Sequence, residues 1–543
     1  MRSLTGFVNK ADSWLVATVI TLGLIGIPIY TIIIGLLGGP GDSWAHLQKY
    51  LLADYVVNSL ALVFGTGALS LIWGVPAAWF VSTTRFPGRK LLEWLLIMPL
   101  SIPTYIMAFT YAGIFDYTGI IQTTFRNIFG TGVTHFDILN IYGVMIIMSL
   151  ALFPYVYVIS RVAFTSRFRS LIEASQTLGA SASRLFFAVV LPVSRPALVA
   201  GLALVSMEVL NDYGAVKYYG VQTFTTGIFR SWFSYEDVQA AVYLSAILLI
   251  FVFLILILEY RHREKEKFHS SMVDRSVQAK HLMGVEKWLI MCGCWIPVIL
   301  GFVFPVIQLV WWAFSAYASA AHIEILPTVW NSFSLALVAA VSCVLVAVLL
   351  LFVSRMRPSR WLKSAVRLST MGYAIPGAVV AVGVLTPFLI VDKAMIKLLI
   401  SFGVENPGLV LTGTILALLF AYTVRYLSVA FNPVEAGFEK IGQSLDEVAS
   451  TLKASPWSRL IGINVPLLAT ALATAALLVF VDVLKELPLT LILRPFNFHT
   501  LATRSFELAS DEQVAAAAIP SLVIILTGVI PVYLLNILSK RRS

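Results

Sequence analysis

Apolar runs of membrane-spanning length alternate with short polar breaks from one end of the chain to the other. A helix needs about 20 apolar residues to cross a bilayer. Twelve stretches meet that need, at roughly 14–37, 55–81, 91–115, 139–164, 192–214, 239–260, 288–315, 332–354, 366–391, 408–431, 466–492 and 514–538. The first, Trp14 to Leu37, is longer than a signal-peptide core, and no small-x-small cleavage site follows it, so it is expected to remain as a spanning helix. Two polar, helix-prone inserts break the pattern in the same way. One is Glu173–Pro192 (EASQTLGASASRLFFAVVLP) and the other is Glu447–Pro466 (EVASTLKASPWSRLIGINVP).

The inserts are 274 residues apart, and Leu171 and Leu178 fall on Leu445 and Leu452. Other pairs extend the repeat. Asn58-Ser59 matches Asn331-Ser332, and Ile102-Pro103 matches Ile375-Pro376. From Glu173/Glu447 onward the register is read without a gap, which sets Thr226 on Thr500, Arg230 on Arg504 and Asp237 on Asp511. Six spans separate equivalent points, an even number, so the halves share one orientation. The expected fold is an all-α polytopic membrane protein of about 12 transmembrane helices. It has two homologous six-helix halves related by a pseudo-two-fold axis along the membrane normal. The expected divisions are 1–260 (first half, polar loop 166–191), 261–287 (charged linker) and 288–543 (second half, polar loop 432–465).

Composition agrees with the pattern. Of the 543 residues 59% are hydrophobic and only 12% are charged, about half the share of a soluble domain. The net charge of +10 does not imply nucleic acid. With the N-terminus in the cytoplasm, 29 of the 38 Lys and Arg fall on the cytoplasmic side, as the positive-inside rule requires. Both polar inserts and both termini then lie in the cytoplasm. Cys292, Cys294 and Cys343 sit in apolar runs and give no disulfide framework. No phosphate-binding G-x-x-x-x-G-K-[ST] loop occurs, and the seven histidines are scattered without metal-ligand spacing, so an enzyme reading has no support.

Within the first insert, Leu171, Leu178 and Leu185 recur every seven residues on one helix face, and Gly179 allows a tight turn. Pro192 falls where the next span would start. Each insert is therefore expected to be a short helical hairpin on the cytoplasmic surface. An amphipathic helix without a partner explains one copy but not two with the same bounds.

These residues resemble the EAA motif of the permease subunits of bacterial ABC importers, which runs E-A-A, three residues, G, nine residues, I-x-L-P. The first copy carries Glu173, Ala174, Ser175, Gly179, Val189 and Pro192; the second carries Glu447, Ala449, Ile463 and Pro466, with Lys453 at the glycine place. Lys disfavours a left-handed backbone, so the second loop is expected to turn differently. In that family the loop is a coupling helix docked in a groove of an ATPase, which implies such a role for residues 173–185 and 447–459, Leu178 and Leu452 included. Further stretches are similar to iron(III) importer permeases: Asn211-Asp212-Tyr213-Gly214 with Gly220–Ile228, and Lys485-Glu486-Leu487-Pro488 with Leu493–Phe498 and Thr500–Arg504. The resemblance implies a type I ABC importer-like fold in a bacterial inner membrane. It implies two copies of a cytoplasmic ABC ATPase that hold ATP and Mg, and no cofactor on this chain. It also implies a periplasmic substrate-binding protein that delivers iron(III). Fused permeases for thiamine, phosphonates and other small solutes share the layout and are the alternative, followed by an ATP-independent secondary transporter.

Four acids stand near the far ends of spans. Glu208 and Asp212 share a helix face, and Asp482 and Glu486 repeat them. They suit a path for a hard, highly charged cation, or they are paired locally, Glu486 with its neighbour Lys485 for example. Arg230 and Arg504 are candidate contacts for an acidic rim on the binding protein. Pro103 and Pro376 are candidate hinges, kinking the spans that hold them.

Overall fold

The computed structural model describes residues 13–130, 136–166, 175, 177–264, 280–281, 283–316, 325–357, 359–405 and 407–540. Among the described residues ten helices are long and apolar enough to cross a membrane, or twelve spans if each of two bent helix pairs counts as one. A spanning helix satisfies every backbone group within itself, so a run of Leu, Val, Ile and Ala can face lipid without cost. The first half of the repeat includes α1 (Ser13–Gly35), α2 (Leu52–Thr83), α3 (Arg89–Leu95), α4 (Thr104–Phe115), α5 (Ile141–Ser166), α6 (Arg195–Asn211), α7 (Gly214–Tyr218), α8 (Phe224–Phe233) and α9 (Val238–Glu264). The second includes α10 (Gly284–Val298), α11 (Phe304–Ala316), α12 (Ile325–Met356), α13 (Arg360–Ser369), α14 (Gly377–Ser401), α15 (Ile415–Lys440), α16 (Gln443–Thr451), α17 (Val465–Leu484), α18 (Pro488–Leu493), α19 (Leu501–Ser510) and α20 (Val514–Lys540). The strands among the described residues are β1 (Thr84–Arg85) and β2 (Lys280–His281), paired in parallel.

Two of the expected spans break at the Ile-Pro repeat. The stretch expected at 91–115 breaks between Ser101 and Thr104 with a 92° bend. The stretch expected from 366 becomes a spanning helix only at Gly377, after the amphipathic α13 and a 3-10 turn over Thr370–Ala374. Both breaks fall at the Ile-Pro repeat. Ile102 and Ile375 are extended, as steric pressure from the following proline demands, and Pro103 and Pro376 cap α4 and α14 from outside. These prolines therefore separate helices; the kink within a spanning helix read from the sequence is corrected to a break.

Packing divides the chain into two compact units that are not the two halves of the repeat. Unit 1 comprises Met1–Asp42, Ser231–Ala246 and Glu324–Thr503; unit 2 comprises Ser43–Arg230, Ile247–Ile323 and Arg504–Ser543. In unit 1, α12, α15 and α17 pack on one another and α1 packs on α14. The last contact depends on Gly383, where a Cβ would lie 2.6 Å from the Pro28 carbonyl oxygen. In unit 2, α2 packs along α5, α6 lies against both, and α11 packs on α20. Large apolar side chains such as Ile34, Phe64, Ile250 and Leu337 remain on outer faces, the surface that a bilayer covers.

Candidate functional site

The second polar loop forms α16, which ends in a one-residue left-handed turn. Ala454 N donates to the Ala449 carbonyl at 3.0 Å, and Lys453 between them has φ +56°. In the first loop Ala180 N donates to the Ser175 carbonyl at 3.0 Å, and Gly179 has φ +77°. The two loops therefore turn alike, and the expected difference at Lys453 is overturned. The helix end still needs its last carbonyls satisfied, and that need outweighs roughly 1–2 kcal/mol of left-handed strain on a residue with a Cβ. Lys453→Gly is expected to gain about 1 kcal/mol of local stability with transport unchanged, measured as a small rise in the thermal midpoint of the detergent-solubilised chain. Glu173 and Ala174 lie outside the described residues.

Leu178 and Leu452, each beside the turn, are 87% and 76% exposed. Leu445 and Val448 continue the exposed stripe on α16, while Ala449, at the edge of that stripe, is buried. Each loop then enters a wider π-helical turn, Leu185–Val190 or Leu460–Asn464, just before Pro192 or Pro466. A proline donates no N–H and crowds the carbonyl four residues before it. A π turn places that carbonyl differently. Pro192 lies inside this first helical stretch, and the break comes at Ser194, where the chain bends by 66° into α6.

Arg355, at the end of α12, joins this second loop to the spanning helices. Its guanidinium donates to the carbonyls of Phe438, Ile441 and Gly442, each at 2.7 Å, and through Nε to the Asp446 carboxylate. Phe438 lies in the last turn of α15, and Ile441 and Gly442 lie just beyond its end. Asp446 stands in the first turn of α16, and its other oxygen accepts from Asn464 Nδ2, in the π turn, at 3.3 Å. One arginine therefore ties α12, α15, α16 and, through Asp446, the start of α17. The first half has Ser82 and Ile172 at the corresponding places in the sequence.

The acids at the far ends of the spans are held by local partners. In unit 2, Asp212 accepts at Oδ1 from the N–H groups of Ala215 and Val216 at 3.0 and 3.2 Å, capping α7, and at Oδ2 from the Thr104 hydroxyl. Glu208 accepts from the Tyr155 hydroxyl at 3.3 Å. In unit 1, Glu486 occupies the place of Asp212 and caps α18 by accepting from Leu489 N at 3.0 Å. Its Oε2 accepts from the Tyr426 hydroxyl at 2.6 Å and lies 3.5 Å from Arg425 Nε, an ion-pair contact rather than a hydrogen bond. Arg425 and Glu486 are both buried. Asp482 pairs with Lys485 at 2.8 Å.

Both buried acids reach the proline breaks. Thr104 follows Pro103 directly. Arg425 Nη1 donates at 3.2 Å to the Ile375 carbonyl, which precedes Pro376. Gly377 makes room for this cluster: a Cβ there would lie 2.7 Å from Arg425 Nη1 and 2.7 Å from Glu486 Oε1. Sequence reading missed Arg425, Thr104, Tyr426, Arg355 and Asp446. Arg425 had a signal, since a cation inside the apolar run 408–431 is costly unless paired.

The helix caps also correct the register beyond α7 and α18. Asn58 Nδ2 donates to the Gln222 carbonyl at 2.9 Å, and Asn331 Nδ2 to that of His499 at 3.3 Å. Thr223 N donates to Thr226 Oγ1 at 2.8 Å, and Thr500 N to Thr503 Oγ1 at 2.9 Å. The spacing is therefore 277 residues here, because the segment after α18 is longer than the segment after α7. Thr226 corresponds to Thr503 and Arg230 to Glu507. Arg230 and Arg504 both lie on helices, α8 and α19, half-buried and at non-equivalent positions. Asp237 and Asp511 do not correspond either, since the left-handed residues Glu236 and Glu512 mark a spacing of 276. Among the described residues no three of His, Cys, Asp and Glu gather closely enough to hold a metal ion.

The family described as "Binding-protein-dependent transport system inner membrane component" matches residues 70–265 and 344–543. The chain is 28% identical over 541 residues to the "Fe(3+)-transport system permease protein FbpB 2" of Haemophilus influenzae, across 97% of this chain and 99% of the relative. It is 25% identical over 469 residues to that organism's "Putative ferric transport system permease protein FbpB 1", across 81% of this chain and 71% of the relative. It is 32% identical over 182 residues to the "Sulfate transport system permease protein CysT" of Salmonella typhimurium, across 32% of this chain and 62% of the relative.

Proposed function

This chain belongs to the family of binding-protein-dependent transport system inner membrane components, and from that premise we propose that it is the fused permease subunit of an iron(III) importer. Both termini and both polar loops lie in the cytoplasm in this reading. Two copies of a separate ATPase hold ATP and Mg, and a periplasmic protein delivers the iron. The observation that carries the coupling role is the pair of matching left-handed turns, each presenting an exposed leucine, Leu178 and Leu452. The stripe of Leu445, Val448 and Leu452 is the face that enters the ATPase groove. Closure of the ATPases pushes on α16, and Arg355 and Asp446 pass the push to α12, α15 and α17. The iron(III) assignment is supported by the end-to-end likeness to a Fe(3+)-transport permease.

Glu208, Asp212, Asp482 and Glu486 supply oxygen-rich walls for a hard cation, and Pro103 and Pro376 are the joints at which α4 and α14 swing. Arg230 and Arg504 meet the binding protein. The test is uptake of radiolabelled iron(III) and of sulfate in cells with and without the chain. Iron uptake that requires the chain is expected; sulfate uptake that requires it instead favours a sulfate permease, the reading suggested by the 182-residue match. In the same cells Leu178→Asp with Leu452→Asp is expected to weaken ATPase co-purification more than tenfold, since each buried Leu is worth about 1.5–3 kcal/mol. An unchanged yield of ATPase, or transport without any ATPase, would support a secondary transporter.

A further inference from the structure

A cavity of about 710 Å³ opens between α13 and α15 in unit 1, beside the Arg355 clamp. Its size lies within the roughly 300–1,000 Å³ range of small-molecule sites. One wall is a stripe of Arg360, Lys363 and Arg367 along α13. The other carries Glu435 and Glu439, four residues apart near the end of α15. Like charges at these helical spacings repel. Among the described residues no direct ion-pair contact joins the three cations to the two carboxylates, although they line the same space and Arg367 lies near enough to attract Glu435. Arg355 also borders the cavity, but its charge is committed to Asp446.

Such facing walls of opposite sign fit a ligand that carries both charges: a phosphate for the cationic stripe and an ammonium for the carboxylates. The remaining surface of α13 says what the ligand is attached to. Leu362 and Val366 are buried, whereas Trp361 and Leu368 form a separate exposed apolar stripe, 87% and 64% exposed. A short helix with an exposed Trp beside a cationic stripe suits the headgroup level of a bilayer. We propose that this cavity binds the phosphoethanolamine headgroup of a phospholipid, with the phosphate on Arg360, Lys363 and Arg367, the ammonium on Glu435 and Glu439, and the acyl chains along Trp361 and Leu368. The site rests on the membrane placement of this end of α12 and α15, not on the cargo. It shares Arg355, Phe438, Ile441 and Gly442 with the clamp, so an occupied cavity stiffens the link to the polar loop.

The test is native mass spectrometry of the full chain with its co-purified partners, titrated with phosphatidylethanolamine, phosphatidylcholine, phosphatidylglycerol or soluble phosphoethanolamine. Phosphatidylethanolamine is expected to be retained at least fivefold better than phosphatidylcholine, whose quaternary ammonium cannot donate hydrogen bonds. Each of Arg360→Gln, Lys363→Gln and Arg367→Gln is expected to lower its retention by roughly fivefold. Glu435→Gln with Glu439→Gln is expected to abolish the preference over phosphatidylglycerol while leaving the latter bound, which also shows that the variant is folded. Equal retention of the three lipids, a preference that survives the glutamate double variant, or binding of soluble phosphoethanolamine as tight as the lipid would overturn the proposal. Because binding is read without transport, a chain that fails to import iron can still pass or fail this test.

Discussion

Glu486→Gln is expected to destabilise unit 1 by about 3–5 kcal/mol, because it leaves the Arg425 guanidinium buried without its counter-charge. The carboxylate accepts from Leu489 N and Tyr426 and faces Arg425, while Arg425 also holds the carbonyl before Pro376. A neutral amide keeps the shape but not the charge. The measurement is the thermal midpoint of the solubilised protein, followed by tryptophan fluorescence, beside the uptake rate in cells. Arg425→Met together with Glu486→Gln removes both charges, and such replacements of buried pairs are often neutral for stability. The double variant is therefore expected to recover most of the midpoint. Its uptake separates two roles for the acid: recovered transport makes Glu486 a strut for the break at Ile375–Pro376, and a stable but inactive protein makes it part of the path.

Arg355→Met is the second large effect. The side chain donates to three carbonyls and one carboxylate, a fan of contacts that the planar guanidinium alone can make. Hydrogen bonds to charged groups contribute about 1.5–3 kcal/mol each when buried. Arg355 keeps 12% side-chain exposure, so a total near the lower bound of one to two such bonds, about 2–3 kcal/mol, is expected. The consequence for transport is larger than that for folding. With the joint cut, the ATPase is expected to remain bound and to hydrolyse ATP, while uptake falls more than tenfold. Arg355→Lys should restore little, since a single ammonium cannot span acceptors on α15 and α16. Loss of ATPase binding in parallel with uptake would instead place Arg355 in the docking surface.

Much of this architecture is legible in the sequence, and the failures have physical reasons. Apolar run length gives the spans because a bilayer has a fixed thickness. The repeat gives the two loops because each copy faces the same requirement. The Ile-Pro pairs are visible as breaks, but a local reading turns them into kinks, since nothing within a few residues reveals that Ile102 and Ile375 are extended. Lys453 misleads in the opposite direction. Backbone preference argues against a left-handed turn there, yet the end of α16 imposes one. The register shift after α18 is hidden because Arg230 and Arg504 look alike at a constant spacing, while the true correspondence is set by Asn331, which holds the His499 carbonyl, and by Thr503, which accepts from Thr500 N at the start of α19. Partners such as Thr104 for Asp212 lie more than a hundred residues away, and only the packing of spans brings them together.

The seating of α1 on α14 has a consequence for how the protein is made. Helix α1 enters the membrane well before α14, and the groove around Gly383 that receives the Pro28 backbone belongs to that later helix, which starts only at Gly377. At roughly 5–20 residues per second of synthesis, α1 waits in lipid on the order of tens of seconds before its partner emerges. For that interval it is held by the bilayer and by α9, whose Gln239 and Tyr243 donate to the Gly35 and Leu36 carbonyls at the end of α1. A gene cut between the two halves of the repeat would thus yield two polypeptides that each lack a helix the other keeps. Assembly of unit 1 is then a bimolecular event, with a yield that depends on how much of both pieces the membrane holds.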